Sequence, residues 1–424
     1  MVAAAIAALL AVTVAAFTAA RGGTASVARH ATVASDSSDL YFSLSDLDAE
    51  AARLVLLGSG ASPVAGGQDH SGDQIATLTA YNQRTAQVDA DLRQLAASTD
   101  GTDAATVATL TSGVTTYHQI ADAAISLDET ASSSAPDEMG VPAGQPAPDA
   151  IGYYSRATAL MQGELLPTAR LLRDDKASAL TDAASSAHLA GIVGASASGA
   201  VGLLALIVAS RANLRLRLWF RRTTNLGVLM AALIALGLAA GSLFALLATA
   251  RDASAAGSRF TDYLAVTRVR AASYDADGAV TRYLLMPDTS LVPVTAAKDN
   301  ATKELNALGA AGTEAQQRWQ ALVKEPNGDI PSITEHAAVG SSPDQIATAL
   351  ARDTGTARGQ DAFDFSYYDT ALLALSGQRL AAFDAAMSSA RGDLSGWAWL
   401  PWVLSGVALA GLVAGVRPRF AEYR

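Results

Sequence analysis

The chain has no cysteine, and only four of its 30 basic residues are lysine. Without cysteine there are no disulfides, no thiolate chemistry and no cysteine-based metal sites, so any exported part must be held by its own core. The five histidines, His30, His70, His118, His188 and His336, fall without ligand spacing. Phosphate-loop, H-E-x-x-H, G-x-S-x-G and kinase catalytic-loop signatures are missing as well. Acid pairs such as Asp174 and Asp175 fit a solvated helix face. The expectation is a protein that is not an enzyme, with no catalytic residue, cofactor or metal. The long segments lack clustered cations, which argues against nucleic acid as a partner.

What the chain does have is four long apolar stretches, Val2–Ala20, His188–Ser210, Leu226–Ala250 and Trp399–Val416. Each is near the roughly 20 residues a helix needs to cross a bilayer. Charge sorts around them. The short segment 211–225 carries Arg211, Arg215, Arg217, Arg221 and Arg222, and the tail carries Arg417, Arg419 and Arg424. Segment 22–187 has 21 acidic and 8 basic residues, a net of −13, and segment 251–396 has 18 and 13, a net of −5. Positive short loops mark the cytoplasmic side. The expected topology is therefore a multi-pass plasma-membrane protein with both long segments outside and both termini inside. The boundaries are 1–21, 188–210, 226–250 and 397–416 for the spans, 211–225 for the Arg-rich loop and 417–424 for the tail. The first stretch is longer than a signal-peptide core and has no basic residues before it, so an uncleaved anchor is expected. Thr18 and Ala20 offer the alternative of cleavage.

Both outer segments predict helices. In the first, Leu40, Leu44, Leu47, Ala51 and Leu54 recur at helical spacing, with a turn-rich stretch over Gly58–Gly72. Ile75 to Leu95 and Val107 to Ala124 give two more helices, parted at Ser98–Asp103. Ala131–Asp149 reads as a loop, and a fourth helix runs from Ile151 toward the second span. In the second segment, helices are expected from Arg251 to Met286, Pro293 to Ala307, Thr313 to Lys324, and Phe365 to Leu394, the last leading straight into the fourth span. The fold class is all-α: four transmembrane helices and two extracytoplasmic four-helix-bundle, sensor-like domains, arranged as an internal duplication.

A short pattern supports the duplication. Asp46, Asp48 and Arg53 spell D-x-D-x-x-x-x-R, and Asp275, Asp277 and Arg282 repeat it 229 residues later. Such groups could hold the ammonium and carboxylate of an amino acid, or could form salt bridges between helices. In the apolar stretches, Gly237/Gly241, Gly411/Gly415 and Gly191/Ala195/Gly199 lie four apart, with Gly194, Ser198 and Gly202 on an adjacent stripe. Small residues at that spacing permit close helix packing or a homodimer through the spans. No span has an acid, lysine or arginine in its interior, which argues against a transport pathway.

Four stretches, Leu40–Arg53 (LYFSLSDLDAEAAR), Leu160–Pro167 (LMQGELLP), Phe365–Phe383 (FSYYDTALLALSGQRLAAF) and Arg417–Arg424 (RPRFAEYR), together with the four-span plan, resemble the GlnX-type membrane protein of actinobacteria. The resemblance implies a part in amino-acid sensing, linking an external glutamine- or glutamate-binding lipoprotein to a soluble cytoplasmic serine/threonine kinase. The segments between spans offer too little chain inside for a folded output domain. The arginines Arg211, Arg215, Arg217, Arg221 and Arg222 are the available contact for such a partner, or for anionic membrane lipid. A sensor or transducer is the favoured function, with a structural scaffold or a transporter accessory subunit as the alternatives.

Overall fold

The computed structural model describes residues 2–58, 71–99, 101–133, 146–220, 226–286, 290–324, 326–338, 341, 343–355 and 358–421, and no strand occurs among them. The helices are α1 (Val2–Gly58), α2 (Ser71–Ser98), α3 (Thr102–Ser133), α4 (Pro148–Leu160), α5 (Leu166–Phe220), α6 (Leu226–Leu285), α7 (Val292–Ala307), α8 (Thr313–Val323), α9 (Asp329–His336), α10 (Pro343–Thr354), α11 (Asp361–Leu394) and α12 (Leu400–Ala421). The chain is all-α, as its periodicity predicts. It forms two compact units, one of residues 1–31, 178–260 and 380–424, the other of residues 32–177 and 261–379.

The first unit holds the apolar stretches. Three helices, within Val2–Leu57, Pro148–Arg215 and Gly227–Leu285, are long and apolar enough to cross a membrane, and Leu400–Ala414 is a shorter apolar helix. A 57-residue α1 is about 85 Å long at 1.5 Å per residue, so only about a third of it fits the hydrocarbon core. Its most apolar part is Val2–Ala20. Small residues pack as their spacing predicts along α5. A methyl at Gly191 would lie 2.7 Å from the Cβ of Ala250, and one at Gly194 would lie 2.9 Å from that of Ala16. Gly237 and Gly411 instead face open space. Phe17 stacks on Trp397 with centroids 4.5 Å apart.

Two local expectations fail here. The last outer helix does not run straight into the fourth apolar stretch: α11 stops at Leu394, Gly396 takes φ +68°, and α12 restarts at Leu400. A glycine just past a helix end, followed by Pro401 inside the next first turn, is the usual stop-and-restart signal. Segment 211–220 is not a loop but the end of α5, because the run from Arg211 to Phe220 has no glycine or proline to break it. Gly58 is helical, while 59–70, 134–145 and 221–225 lie outside the described residues.

The second unit has one apolar core drawn from both outer segments. Leu40, Leu44, Leu47, Ala51 and Leu54 of α1 are buried there with Val107, Leu110, Val114, Tyr117, Ala121 and Ala124 of α3. On α2, Val88, Leu92 and Leu95 are buried, but Ile75 and Leu78 of the same stripe are exposed. Between α4 and α5 one π-turn, Met161–Leu165, brings the Leu166 N–H to the Met161 carbonyl. Pro167 explains it, because its ring lacks an N–H and crowds the carbonyl four residues back, which the wider turn relieves. The short helices α9 and α10 were not legible in the sequence. Arg352 of α10 ties them, donating from Nε to Asp329 at 2.9 Å and from Nη1 to Ser332 at 2.8 Å.

Candidate functional site

The outer halves of α1 and α6 lie side by side and parallel, and residues at matched positions touch. Ser38 and Thr267, 229 residues apart, share a hydroxyl hydrogen bond of 2.8 Å. Eleven residues further on, Ala49 meets Gly278, again 229 apart, where a Cβ on the glycine would sit 3.1 Å from that of Ala49. Contact between equivalent positions defines a local two-fold axis between the repeats. The repeated polar pattern is exchanged across it: Arg53 of α1 donates from Nη2 to Asp277 at 2.5 Å, and Arg282 of α6 donates from Nη1 to Asp48 at 2.9 Å.

The two exchanged pairs differ in their surroundings. Asp48, fully buried, accepts from the Tyr117 hydroxyl at 3.2 Å, Thr158 at 3.0 Å, Gln162 at 3.2 Å and Arg282. The Tyr154 hydroxyl donates to its backbone carbonyl at 3.3 Å. Every acceptor site of that carboxylate is served, as a buried charge requires. Asp277 accepts from Arg53, and among the described residues its Oδ1 receives no donor. It faces Asp361, which is 1% exposed and has neither oxygen served by a donor. Burial first, and then the Asp277 charge, push the Asp361 carboxyl well above the usual range. A protonated Asp361 can then donate to Asp277, which serves both groups. Nearby Asp353 is pushed up to about 7, by burial first, with Arg53 opposing and Asp277 reinforcing.

Beside the Asp277 pair lies a cavity of about 460 Å³, within the range of small-molecule sites. Asp46, Glu50 and Arg53 of α1, Arg84 of α2, Tyr274 of α6 and Phe365 of α11 line it. Asp46 is ion-paired with Arg84 through one oxygen, while its buried Oδ1 has no partner; the Nε of Arg53 has none either. Burial raises the Asp46 carboxyl, against the pull of Arg84 and Arg53. Phe42 lies under the Arg84 and Arg270 guanidiniums at 4.8 and 4.2 Å, and Arg270 is held bidentately by Asp369 at 2.6 and 2.8 Å.

The structure thus brings Asp48, Asp275, Asp277, Arg53 and Arg282 into one exchanged network, with Asp275 accepting from Arg282 at 3.2 Å. Asp46 turns instead to Arg84 and the cavity. Sequence reasoning missed Glu50, Arg84, Asp353, Asp361 and Asp369. The 229-residue offset sets Glu50 against Ala279, so the repeat gave no signal for it. Arg211 and Arg215 are exposed near the end of α5; the side chain of Arg217, and Arg221 and Arg222 entirely, lie outside the described residues. Among the described residues no group of three or more acids or histidines is placed to hold a metal ion.

No curated protein and no solved structure matches the chain. Residues 23–185 match the actinobacterial sensor domain family. That segment includes Asp48 with its Tyr117, Thr158 and Gln162 donors and the α1 and α2 walls of the cavity, and with three helices apolar enough to span a bilayer it supports a sensor-type membrane protein.

Proposed function

We infer that the protein is a membrane receptor, not a catalyst, whose second unit faces outward, senses amino-acid availability and relays it to a cytoplasmic partner. The observation that carries this reading is the cavity bordered by the diverged repeat. Asp46 and Arg53, each with a buried polar atom that has no partner, line it, and its α1 and α6 walls belong to helices that continue unbroken into the apolar segments. A ligand or an amino-acid-binding lipoprotein engaging Asp46, Glu50 and Arg53 acts directly on α1. A shift of such a helix as a rod is a known way to carry a signal. The charge distribution supports an inward Arg-rich end of α5, where Arg211 and Arg215 are available to a soluble kinase or to anionic lipid.

The test is thermal unfolding of the full chain in nanodiscs with free amino acids and, separately, with a purified amino-acid-binding lipoprotein. A ligand that binds the folded state raises the melting temperature. A rise with either one, lost in Asp46→Asn, supports the reading. No shift with any of them removes it.

A further inference from the structure

Asp46 and Glu50 on the cavity wall, together with Asp277, Asp353 and Asp361 buried around Arg53, outnumber the cations that balance them. Asp46, Glu50, Asp277, Asp353 and Asp361 share Arg53 and Arg84, because Arg270 is already held by Asp369. At the matched position of the other repeat, four donors surround Asp48. Buried negative charge without donors has to be neutralised by a proton or by an incoming cation.

We propose that the cavity binds a small ligand of net positive charge through a protonated primary amine seated against Asp46 and Glu50. The proposal rests on the reading of this cavity as the sensing site. Asp46, 4% exposed, lines the cavity and has a buried oxygen with no donor, and Glu50 follows one turn later on the same helix face. The rings of Tyr274 and Phe365 border the same space and favour a cation over an anion. A carboxylate on the ligand would have to compete for Arg53 and Arg84, which already pair with acids, Arg53 with Asp277 and Glu50 and Arg84 with Asp46.

Binding is then coupled to proton release. In the free protein the Glu50 carboxyl is raised to about 7 by burial, with Arg53 opposing and Asp46 and Asp277 reinforcing. The charged groups facing it are Arg53 and Asp46 on α1, Arg84 on α2 and Asp277 on α6, with Asp369 of α11 across the cavity. An ammonium at this wall favours the ionised form, so the proton leaves as the ligand enters.

The experiment is calorimetric titration of the full chain in phosphatidylcholine nanodiscs with 1,4-diaminobutane, L-lysine, L-alanine and L-glutamate between pH 5.5 and 8.5. The diamine and lysine should bind at least about tenfold more tightly than alanine, with affinity rising about tenfold per pH unit below 7 and levelling above it. Glu50→Gln, an isostere of the protonated acid, should weaken binding and flatten the pH profile while leaving the melting temperature at pH 5.5 near that of the parent. Tighter binding of alanine or glutamate, or a pH-independent affinity for the amines, overturns the charge assignment and leaves the cavity as a ligand site. Absence of binding by all four probes at every pH overturns both.

Discussion

Arg53 and Asp277 belong to different repeats and meet at 2.5 Å, while Arg282 returns the contact to Asp48 at 2.9 Å. Each arginine is therefore supplied to the other copy's buried carboxylate, in addition to its contact within its own repeat, Arg53 with Glu50 and Arg282 with Asp275. Removing one member of a buried pair strands the other, at a cost of about 3–5 kcal/mol. Arg53→Ala should lower the unfolding free energy by about that much in chemical denaturation of the full chain. Arg53→Ala combined with Asp277→Ala should cost less than the sum of the single changes by about 1–3 kcal/mol. Strict additivity would show that the two residues do not depend on each other.

Stability should fall as pH rises. Glu50 and Asp353 are raised to about 7, and Asp361 is raised well above the ordinary carboxyl range, by burial before all else. Between their ordinary values near 4 and their raised values, the folded state holds more protons than the unfolded chain. Stability from these groups is thus full at low pH and is lost as pH climbs through about 7. The melting temperature should drop between pH 5 and pH 8, and Asp361→Asn should recover about 3 °C at pH 8 with little change at pH 5. A melting temperature that climbs over this interval in the parent, with no effect of the substitution, would be the contrary result.

Glycines at two helix positions should respond in opposite ways. At Gly278 a side chain meets Ala49 at 3.1 Å, so Gly278→Leu should destabilise by about 1–3 kcal/mol through overpacking. Gly152 on α4 has nothing within 4 Å, and Gly152→Ala should stabilise by about 0.5–1 kcal/mol through helix propensity. Denaturation midpoints of the two variants decide both.

In the apolar unit, a methyl at Gly202 would run into the Cβ of Ala239, whereas Gly237 is open. Gly202→Leu should lower the melting temperature in detergent without changing the mass of the particle. Gly237→Leu should leave the fold intact, and it should shift a monomer–dimer equilibrium only if that face forms a homodimer. Light scattering of the detergent-solubilised variants separates the two effects.

Much of this architecture is legible from spacing. Leu40 to Leu54 and Val107 to Ala124 are core stripes because apolar residues three and four apart share a helix face. The stops at Ser98 and after Leu285 follow from local turn residues. Other features need the tertiary fold. Periodicity says which face of a helix is apolar but not which helix covers it, so the joining of the two segments on one core left no trace in either stripe. The repeated D-x-D-x-x-x-x-R marked residues that come together, yet its spacing alone made Asp46 the natural companion of Arg53. That companionship survives between Asp275 and Arg282, while burial selected Asp48 and Asp277 for the exchanged pairs. Glu50 and Asp361 carried no motif, and their interest comes only from the donors they lack. α9 and α10 are too short, and too close to glycine and proline, for a periodic signal to rise above the surrounding turns.

The touching of Ser38 with Thr267 and of Ala49 with Gly278 has a consequence for what the molecule can become. Two identical chains meeting on a symmetry axis must carry identical sites, so any change that opens one opens the other. Covalent linkage removes that constraint. Here one copy keeps its carboxylate locked under Tyr117, Thr158 and Gln162 as a fixed pivot, while its twin is free to specialise. A single chain can therefore hold an anchored half and a responsive half, a division of labour closed to a strictly symmetric pair.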